Sequence, residues 1–400
     1  MRDREGTETS ADVLIVGGGP AGCAAAIALR QRKAGRVIVV DDGARSPVRI
    51  GESIPPDSRL LLEQLGAWSD FAAQGHAPCV GSRSSWGSDD LGYNDFVFNV
   101  HGPGWHLDRM RFDAMLLRAA ERSGATVLQG TRLKEIRRSA CGAFEADVSG
   151  ATQGQIGASV VIDASGGRRV VAHKLGAVDR VHDRLLCIAA FFDGHGELGG
   201  LSLLEAVACG WWYAAALPDG RSIVMLATDS AVAKDQRLAD PTRWLTTLES
   251  TQHVMPLLGH VSEPSQLFAK SAPSSLLNPV CGPGWLAVGD AASLYDPLSA
   301  QGVYKALATG YRGGCAVADA LGGKLHAVGD YSRFVIAGFE DFQRNHRYLY
   351  DQEARWPESP FWQRRRAPGR NFSQPDMAHV KSAAVVQQAA GSEEILRRAS

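Results

Sequence analysis

The feature that most constrains the fold is a glycine-rich turn between an apolar strand and an alanine-rich helix. Residues 13–16 read Val-Leu-Ile-Val, and residues 17–22 read Gly-Gly-Gly-Pro-Ala-Gly. A second apolar strand, 37–40, ends at Asp41, 19 residues beyond the last glycine. In such a unit the glycines let the backbone approach a pyrophosphate, and the strand-terminal carboxylate accepts hydrogen bonds from ribose hydroxyls. The pattern predicts a dinucleotide-binding unit; the alternative is a glycine-rich turn without a ligand.

Composition argues against several other classes of protein. With 400 residues, 45% apolar and 21% charged, the chain is an ordinary globular protein of two domains or one elaborated domain. A net charge of −1 argues against nucleic-acid binding or an anionic membrane surface. Seven scattered cysteines, none in a CxxC pair, indicate neither a disulfide framework nor a zinc site, so no metal is expected. No apolar run approaches the roughly 20 residues of a membrane span, and we expect a cytoplasmic protein without membrane contact.

Shifts in residue pattern predict a discontinuous domain organisation. The nucleotide-binding domain is predicted at 10–74, 106–172 and 276–345, the substrate domain at 75–105 and 173–275, and a C-terminal tail at 346–400. Apolar runs and a Pro-Asp-Gly turn between 185 and 228 indicate strands and a hairpin. The predicted fold class is therefore α/β, with a Rossmann-type domain, an inserted and mostly antiparallel β-sheet, and a helical C-terminal tail.

Three consecutive aromatic residues lie in the first strand of the predicted hairpin. Strand alternation puts Trp211 and Tyr213 on one face and Trp212 on the other. Large aromatic residues belong more often to a core than to a ligand site. The sequence leaves open which face lines a pocket.

Four separated signals resemble one known group of flavoproteins. They are the GGGPAG turn with Asp41, Arg109-x-x-Phe112-Asp113, Asp-Ala-Ser-Gly at 163–166, and Gly-Asp-Ala-Ala at 289–292 followed by DPLSAQG. As a set they resemble the FAD-binding domain of the p-hydroxybenzoate-hydroxylase-like (GR2-type) flavoproteins. That group includes aromatic monooxygenases, flavin-dependent halogenases and geranylgeranyl-reductase-like enzymes. The resemblance covers roughly residues 10–345.

The resemblance implies FAD as the cofactor and assigns residues to it. The glycines of the turn and Asp41 hold the ADP half, Arg109 reaches the phosphates, and Asp290 binds the ribityl chain. Amides at 301–303 stabilise the negative charge that reduction places at the flavin N1/O2 edge. The full set expected at the cofactor is Gly17, Gly19, Pro20, Ala21, Gly22, Asp41, Asp42, Arg49, Glu52, Ser53, Arg109, Gly289, Asp290, Pro297, Gln301, Gly302 and Val303.

Within the group, several stretches are most similar to the LodB-like flavoproteins, whose known members oxygenate tryptophan side chains of partner proteins during tryptophylquinone maturation. These stretches are GESIPP at 51–56, SRSSWGS at 82–88, GWHLDR at 104–109, GWWYAAALPDGR at 210–221 and RWPESPFW at 355–362. The resemblance implies an FAD-dependent monooxygenase that hydroxylates an aromatic substrate, an indole or tryptophan, through a flavin C4a-hydroperoxide. The expected partners are that substrate, free or as a tryptophan-bearing protein or peptide, and a flavin reductase. The reductant is NAD(P)H or reduced flavin from that reductase.

Two departures from the group's pattern bear on the reaction. Halogenases rely on a lysine that lies after the GES loop, but residues 51–108 contain no lysine. The hydroxylases' Asp-Gly motif, associated with NAD(P)H use, reads Asp-Ala-Ser-Gly-Gly-Arg-Arg at 163–169. The alternative function is a halogenase-like or other FAD oxidoreductase that acts on a small aromatic metabolite.

The catalytic candidates are His106, Trp105 and Glu52, because the cofactor carries the hard step and the protein supplies a dry pocket and a proton donor or acceptor. For His106 the alternative is a structural hydrogen bond to the backbone. Glu52 either approaches the flavin or caps the helix after Pro55. A different class of protein, a flavin-bearing accessory protein, would dock a partner through the Trp- and Arg-rich segment 355–366, which otherwise clamps the tail to the body.

Overall fold

The computed structural model describes residues 9–43, 53–96, 98–140, 142–259 and 264–366. Two residues expected at the cofactor, Arg49 and Glu52, lie outside the described residues. In the described part the strands, in chain order, are β1 (Thr9–Val16), β2 (Val37–Asp41), β3 (Ser53–Ile54), β4 (Ala77–Cys79), β5 (Gly81–Ser85), β6 (Gly92–Asp95), β7 (Gly104–His106), β8 (Thr126–Gln129), β9 (Thr131–Arg138), β10 (Phe144–Gly150), β11 (Gly154–Asp163), β12 (Val178–Val181), β13 (Leu185–Asp193), β14 (Leu201–Val207), β15 (Gly210–Ala216), β16 (Arg221–Asp229), β17 (Phe268–Ser271), β18 (Ser275–Asn278), β19 (Cys281–Gly282), β20 (Trp285–Ala287) and β21 (Ser293–Leu294).

The helices connect and cover these strands. In chain order they are α1 (Pro20–Gln31), α2 (Ser58–Gln64), α3 (Trp68–Ala72), α4 (Arg109–Arg122), α5 (Val170–Lys174), α6 (Ser230–Asp235), α7 (Pro241–Glu249), α8 (Val254–Leu258), α9 (Gly302–Leu321), α10 (Ala327–Gln352) and α11 (Pro360–Arg366). Within the described ranges, none of them combines the length and the apolar character that crossing a bilayer requires.

The first large sheet has the strand order β19-β20-β11-β1-β2-β8. Strand β1 pairs in parallel with β2 and β11, and β8 and β20 extend the parallel set at either side. Residues 37–41 of β2 and 13–16 of β1 are buried, since a parallel sheet covered by helices has no solvent face. That burial explains why both strands are almost continuous runs of Val, Ile and Leu. The Rossmann-type domain predicted from the sequence is confirmed.

Helices α1 and α9 approach each other closely because small residues face each other between them. A Cβ atom on Gly310 would lie 2.2 Å from the Ala21 carbonyl oxygen, and one on Gly314 would lie 2.5 Å from the Ala25 oxygen. Both contacts advance by four residues along both helices, so the two helices run in the same direction. Their N-termini therefore point toward the same edge of the sheet.

The second large sheet has the order β17-β13-β16-β15-β14-β5-β6, and every pair in it except β14–β5 is antiparallel. Its core contains Trp212 and, from the covering helices, Trp244 of α7 and Val254 of α8. The inserted, mostly antiparallel sheet is thus confirmed. Strands β5 and β6 come from the stretch 75–105, whereas β4 and β7 of that stretch pair with each other, and β7 also pairs with β3, in a separate sheet.

The helical C-terminal region is packed into the body more deeply than its sequence indicated. Helix α11 buries Phe361 and Trp362 completely, and Trp362 Nε1 donates a hydrogen bond to the Val207 carbonyl at 2.9 Å. Arg365 adds an ion pair with Asp229 at 2.9 Å. Phe361 and Trp362 thus clamp the tail to the body, which agrees with the second interpretation of 355–366, and docking of a partner through this segment stays a prediction. The division into domains stays a prediction, and α10 continues unbroken across residue 346, where the separate tail was expected to begin.

Candidate active site and cofactor cleft

The glycine-rich turn has one open position, Gly19, and three tightly packed ones, Gly17, Gly18 and Gly22. Gly17 has a φ of 117°, and a Cβ atom there would lie 2.2 Å from the Ala164 carbonyl oxygen. A Cβ atom on Gly22 would lie 1.9 Å from the Gly17 oxygen. By contrast, no atom of the described residues lies within 4 Å of a Cβ placed on Gly19, which precedes α1 without a side-chain cap. The first-turn amides of α1 therefore face space that a phosphate can fill.

The acidic residues after β2 have different surroundings. Asp41 is 9% exposed, and its Cβ would lie 2.8 Å from a Cβ atom on Gly18, so its carboxyl group lies beside the turn. Asp42 instead forms an ion pair with Arg168 at 2.8 Å. Asp41, the predicted ribose contact, has the position that a strand-terminal ribose ligand requires.

A second helix N-terminus, that of α9, lies at the same edge of the sheet. Pro297 begins a short 3-10 helix, Ala300 adopts a φ of 49°, and Gln301 precedes α9 without a side-chain cap. No atom in the described part of the chain lies within 4 Å of a Cβ placed on Gly302. The amides of Gly302 and Val303 begin a 20-residue helix, whose dipole favours negative charge at this end.

The spacing of these two helix ends suits an extended dinucleotide. Because Gly310 packs beside Ala21, the N-terminus of α9 lies about seven residues beyond that of α1. At 1.5 Å per residue the offset is about 10 Å along the helix axes. FAD can place its pyrophosphate at one end and its flavin ring at the other, whereas a flavin mononucleotide lacks the second half. The described residues therefore fit FAD.

Asp290 lies between these ends with a lysine partner that sequence reasoning missed. Lys305 Nζ donates a hydrogen bond to Asp290 Oδ1 at 2.9 Å, and the Lys305 side chain is 6% exposed. Burial raises the pKa of Asp290, but Lys305, with smaller contributions from Lys270 and Arg109, outweighs it and holds that pKa below its usual range. The carboxylate is ionised and 44% exposed, which leaves it able to accept a hydrogen bond from a ribityl hydroxyl. Lys305 is four residues into α9 and carries no motif that would have marked it.

Arg109 begins helix α4 close to this carboxylate. The helix is capped by Asp108, whose side chain accepts a hydrogen bond from the Arg111 amide at 3.0 Å. Arg109 forms an ion pair with Asp113 one turn later, at 3.3 Å, and its side chain is 13% exposed. The pairing orients the guanidinium and explains why the Arg-x-x-Phe-Asp pattern carries both residues.

His106, Ser53 and Tyr213 meet in one hydrogen-bonded group. Ser53 and His106 are cross-strand partners in β3 and β7, so their side chains share a face, and Ser53 Oγ lies 2.8 Å from His106 Nδ1. Ser53 Oγ also lies 2.8 Å from the Tyr213 hydroxyl, on strand β15 of the second sheet. Burial lowers the pKa of His106 to about 4, and the imidazole is neutral near pH 7. Sequence reasoning found His106 but assigned Ser53 only to the cofactor and left Tyr213 undecided.

Trp105 has a different environment from its neighbour His106. It points to the other face of β7, where its ring makes edge contacts with Trp68 and Phe71. The ring centroids are 5.5 Å and 5.3 Å apart, respectively. The structure therefore does not bring Trp105 and His106 together, because adjacent residues of a strand face opposite ways. A catalytic role for either residue stays a prediction.

The face of β15 that carries Trp211 and Tyr213 points toward the cofactor side. Trp211 Nε1 donates a hydrogen bond to the Tyr350 hydroxyl at 2.8 Å, and that hydroxyl donates to Asp296 Oδ2 at 2.8 Å. Trp212 instead packs against Trp244, with ring centroids 5.0 Å apart. The 211 and 213 face therefore contacts Tyr350 and Ser53, and the 212 face contacts α7.

Asp296 is a fully buried carboxylate on the loop before α9. His346 Nε2 lies 2.9 Å from its Oδ2, and the Leu298 amide donates to its Oδ1 at 2.8 Å. Burial raises the pKa of Asp296, but these contacts and the charge of Arg365 outweigh it and hold the pKa below its usual range. Asp183, Asp296 and His346 place one ligand atom each within 4.8 Å of one another. Because Asp296 Oδ2 is already hydrogen-bonded, the group forms an anchor for α10; the expectation of no metal stays a prediction.

The Asp-Ala-Ser-Gly stretch at the end of β11 has a structural role. Asp163 accepts hydrogen bonds from the amides of Ser165, Val171 and Ala172 at 2.8 to 3.0 Å, and it is fully buried. Its carboxylate holds the loop and the first turn of α5 in place. This stretch therefore shapes the sheet edge beside Gly17, whose turn packs on Ala164.

Comparison with known proteins agrees with this geometry. Residues 10–238, more than half of the chain, match the family described as FAD binding domain. The chain belongs to that family. A putative FAD-dependent oxidoreductase, LodB, of Marinomonas mediterranea is 29% identical over 369 residues, which are 90% of this chain and 97% of LodB. A tryptophan 2-halogenase of Chondromyces crocatus is 25% identical over 400 residues, covering 93% of this chain and 74% of the halogenase.

Solved structures share the fold. The flavin-dependent halogenase CmlS has a TM-score of 0.81 at 24% identity, covering 91% of this chain and 68% of CmlS. The peptidyl tryptophan dihydroxylase QhpG has a TM-score of 0.73 at 22% identity, covering 93% of this chain and 83% of QhpG. The expected resemblance to the FAD-dependent monooxygenases and halogenases, with a LodB-like relative, is confirmed. The protein is an FAD-dependent enzyme of the oxidoreductase class.

Proposed function

We propose that the protein is an FAD-dependent monooxygenase that hydroxylates an indole ring, with a tryptophan side chain of a partner polypeptide as the substrate. The observation that carries the proposal is the uncharged polar group of Ser53, His106 and Tyr213 between the FAD-binding side and the substrate sheet. Oxygen transfer by a reduced flavin requires a dry pocket, orientation and a proton donor or acceptor, and this group supplies the last of these.

The relatives support the proposed hydroxylation to different degrees. LodB matches almost from end to end, and QhpG, which shares the fold, is named for the dihydroxylation of peptidyl tryptophan. Halogenases are also among the relatives, so halogenation is the second candidate. The absence of any lysine in residues 51–108 disfavours halogenation, because halogenases rely on one after the GES loop.

A polypeptide substrate is supported by an exposed apolar surface. Large apolar side chains that are normally buried are exposed in the stretch 75–105: Val80 (48%), Tyr93 (58%), Phe98 (94%) and Val100 (90%). Exposed apolar side chains of this size are suited to a protein–protein contact. The same stretch leads into β7 and His106, so a polypeptide held there would lie near the proposed site.

The chemistry asks little of the chain beyond binding and proton handling. Reduced FAD with O₂ supplies one electrophilic oxygen atom, so that one aromatic C–H, one O₂ and one FADH₂ give one C–OH, one water and one FAD. Asp290, the α1 and α9 termini and Arg109 bind the cofactor and orient it. NAD(P)H, used directly, or a partner reductase that delivers reduced flavin supplies the electrons.

The test is product analysis under ¹⁸O₂. Protein loaded with FAD is supplied with NADH, NADPH or chemically reduced FAD and with either a tryptophan-bearing peptide or free indoles and phenols. We expect one ¹⁸O atom per hydroxylation, located on an indole by mass spectrometry. Parallel reactions with chloride and bromide should give no halogenated product.

The controls separate the levels of the proposal. Asp290→Ala should lose FAD and all turnover, because the ribityl contact is removed. Halogenated indole formed at a rate above hydroxylation would reject the oxygenase and support the second candidate. Preferred oxidation of a free metabolite over every tryptophan-bearing peptide would reject the polypeptide substrate and leave the oxygenase in place.

A further inference from the structure

The Ser53 hydroxyl links two groups that come from different sheets. It lies 2.8 Å from His106 Nδ1 on β7 and 2.8 Å from the Tyr213 hydroxyl on β15. A serine hydroxyl donates one hydrogen bond and accepts others, so it can donate to one neighbour while it accepts from the other. We propose that Tyr213, Ser53 and His106 form a proton relay, in which the Ser53 hydroxyl passes protons between the phenol and the imidazole.

The three groups have two complementary proton arrangements. In the first, Tyr213 donates to Ser53, Ser53 donates to His106 Nδ1, and Nε2 carries the imidazole proton. In the second, Nδ1 donates to Ser53, Ser53 donates to Tyr213, and Nε2 is bare. A proton that reaches the Tyr213 oxygen moves the phenolic proton to Ser53 and the Ser53 proton to Nδ1, and the Nε2 proton leaves. No charge stays on any of the three residues.

Because it is buried, the His106 ring passes a proton on rather than holding a second one. His106 is 0% exposed, and the cost of placing an imidazolium there keeps the ring neutral. Burial lowers the pKa of His106 to about 4, in agreement with that cost. Because the ring cannot hold two protons, it must release the proton on one nitrogen when the other nitrogen gains one.

The relay has two distinguishable ends. Tyr213 is partly exposed, and its hydroxyl is the outer end. His106 Nε2 is buried, and in the described part of the chain it has no hydrogen-bond partner. A buried polar atom without a partner is unfavourable, so Nε2 is set to meet a group outside the described residues, on the cofactor or the substrate.

The relay rests on the proposed hydroxylation for its role in turnover. Hydroxylation releases the ring-carbon hydrogen as a proton and places a proton on the oxygen atom that leaves as water. Each cycle therefore takes one proton and returns one, so the relay runs once in each direction and is reset. Hydrogen bonds with a purely structural role would not have to transfer protons in each cycle.

The first test reads the proton arrangement in the protein without substrate. Selective ¹⁵N-histidine labelling and NMR report which ring nitrogen of His106 carries the proton. We expect Ser53→Ala and Tyr213→Phe each to shift the tautomer population of His106, although Tyr213 makes no described contact with the imidazole. Ser58→Ala is the matched control, because Ser58 Oγ is a buried hydroxyl without a partner in the described residues, and it should change nothing.

The second test reads turnover. Ser53→Ala should keep FAD and lower product formation on the order of 10²-fold, with more O₂ diverted to hydrogen peroxide. Ser53→Thr keeps the hydroxyl and should restore most of the rate. A solvent deuterium isotope effect seen with the wild-type protein should change in Ser53→Ala and Tyr213→Phe and stay in Ser58→Ala.

Two outcomes overturn the relay. The first is a His106 tautomer population that Tyr213→Phe leaves unchanged, and the second is wild-type rate and coupling in Ser53→Ala. If the wild-type protein hydroxylates nothing, the proposed function fails, and the NMR result alone still decides whether the three groups exchange protons.

Discussion

The nucleotide-binding side and the substrate side of the molecule use different kinds of contact. On the nucleotide side, the backbone makes the contacts, and glycines allow it to come close: Gly17, Gly22 and Gly310 each lie against a carbonyl oxygen. On the substrate side, the contacts are made by side chains from distant parts of the chain, as Ser53, His106 and Tyr213 illustrate. Backbone recognition needs a fixed local sequence, whereas side-chain recognition needs only that the fold brings the right residues together. The nucleotide side can therefore be recognised as a sequence motif, whereas the substrate side cannot.

The comparison also separates binding from chemistry. The nucleotide side offers helix ends, which hold negative charge regardless of the reaction. The substrate side offers a neutral imidazole and two hydroxyls, which decide how protons move. Relatives that share the first side can differ in the second, which is consistent with halogenases and hydroxylases among the relatives of one fold.

The largest expected effect comes from the same substitution at two glycines of one turn. Gly22→Ser should prevent folding or destabilise by more than about 4 kcal/mol, because the Cβ would lie 1.9 Å from the Gly17 carbonyl oxygen. Gly19→Ser should leave the apo protein as stable as wild type, since Gly19 faces open space and serine is a good N-cap. It should weaken FAD binding, measured by flavin fluorescence. Equal stability of the two variants in urea unfolding would break the distinction between packed and open glycines.

The next effect concerns the substrate side alone. Trp362→Ala should destabilise by about 3–5 kcal/mol, because the ring is fully buried and its Nε1 holds the Val207 carbonyl. Denaturant unfolding followed by far-UV circular dichroism measures the loss. Trp356→Ala, at a partly exposed neighbour, is the matched control and should cost much less. A small loss in Trp362→Ala would mean that α11 is not part of the second core.

Acidification should weaken the fold through its buried histidines. Burial lowers the pKa of His106 to about 4 from 6.5, so below pH 6.5 the unfolded chain binds a proton that the folded chain refuses. Stability should then fall by about 1.4 kcal/mol per pH unit, roughly 3 kcal/mol in all, and level off near pH 4. Burial also lowers the pKa of His76 to about 4, which adds to the slope. Urea titrations from pH 7 to 4 should show a shallower slope in His106→Gln, and an unchanged slope would contradict the assignment.

The smallest effect tests the ion pair between Lys305 and Asp290 on the nucleotide side. Lys305→Met should cost about 1–2 kcal/mol, less than a fully buried pair would, because Asp290 is 44% exposed and keeps some water. Without the ammonium the pKa of Asp290 should rise, and FAD affinity should become pH-dependent in the acidic range. Arg312→Met, elsewhere on α9, serves as the control for loss of a cation. FAD binding by Lys305→Met that is indistinguishable from wild type at all pH values would show that the pair is only structural.

What the sequence predicted follows the same division. The unit from β1 through α1 to β2, the glycine turn, Asp41 and the open start of α9 were all predicted from local patterns, since each depends on residues adjacent in the chain. The hairpin β15–β16 was predicted for the same reason, from its apolar strands and its Pro-Asp-Gly turn. Such elements need no knowledge of what packs against them.

The rest depended on contacts between residues far apart in sequence. Ser53 and Tyr213 are 160 positions apart, and Lys305 reaches Asp290 from another element. Phe361 and Trp362 are buried against residues of the second sheet that are distant in sequence, so the segment alone resembled a docking surface. Alternation along β15 gave two faces but no partner for either, until Tyr350 and Trp244 supplied them.

The position of Tyr350 limits how this protein can be recombined with its relatives. Its hydroxyl receives a hydrogen bond from Trp211 of the second sheet and donates one to Asp296 beside α9, while its ring packs on Trp362 with centroids 5.7 Å apart. A chimera that imports a foreign version of the second sheet but retains the native C-terminus would keep the contacts of Tyr350 with Asp296 and Trp362 but would replace its partner at position 211. The unit to take from one parent is thus the sheet together with α10 and α11, although 55 residues (272–326) separate β17 from α10 in the sequence. Shuffling libraries that keep those segments from one parent should yield a larger share of folded variants than libraries that cut between them.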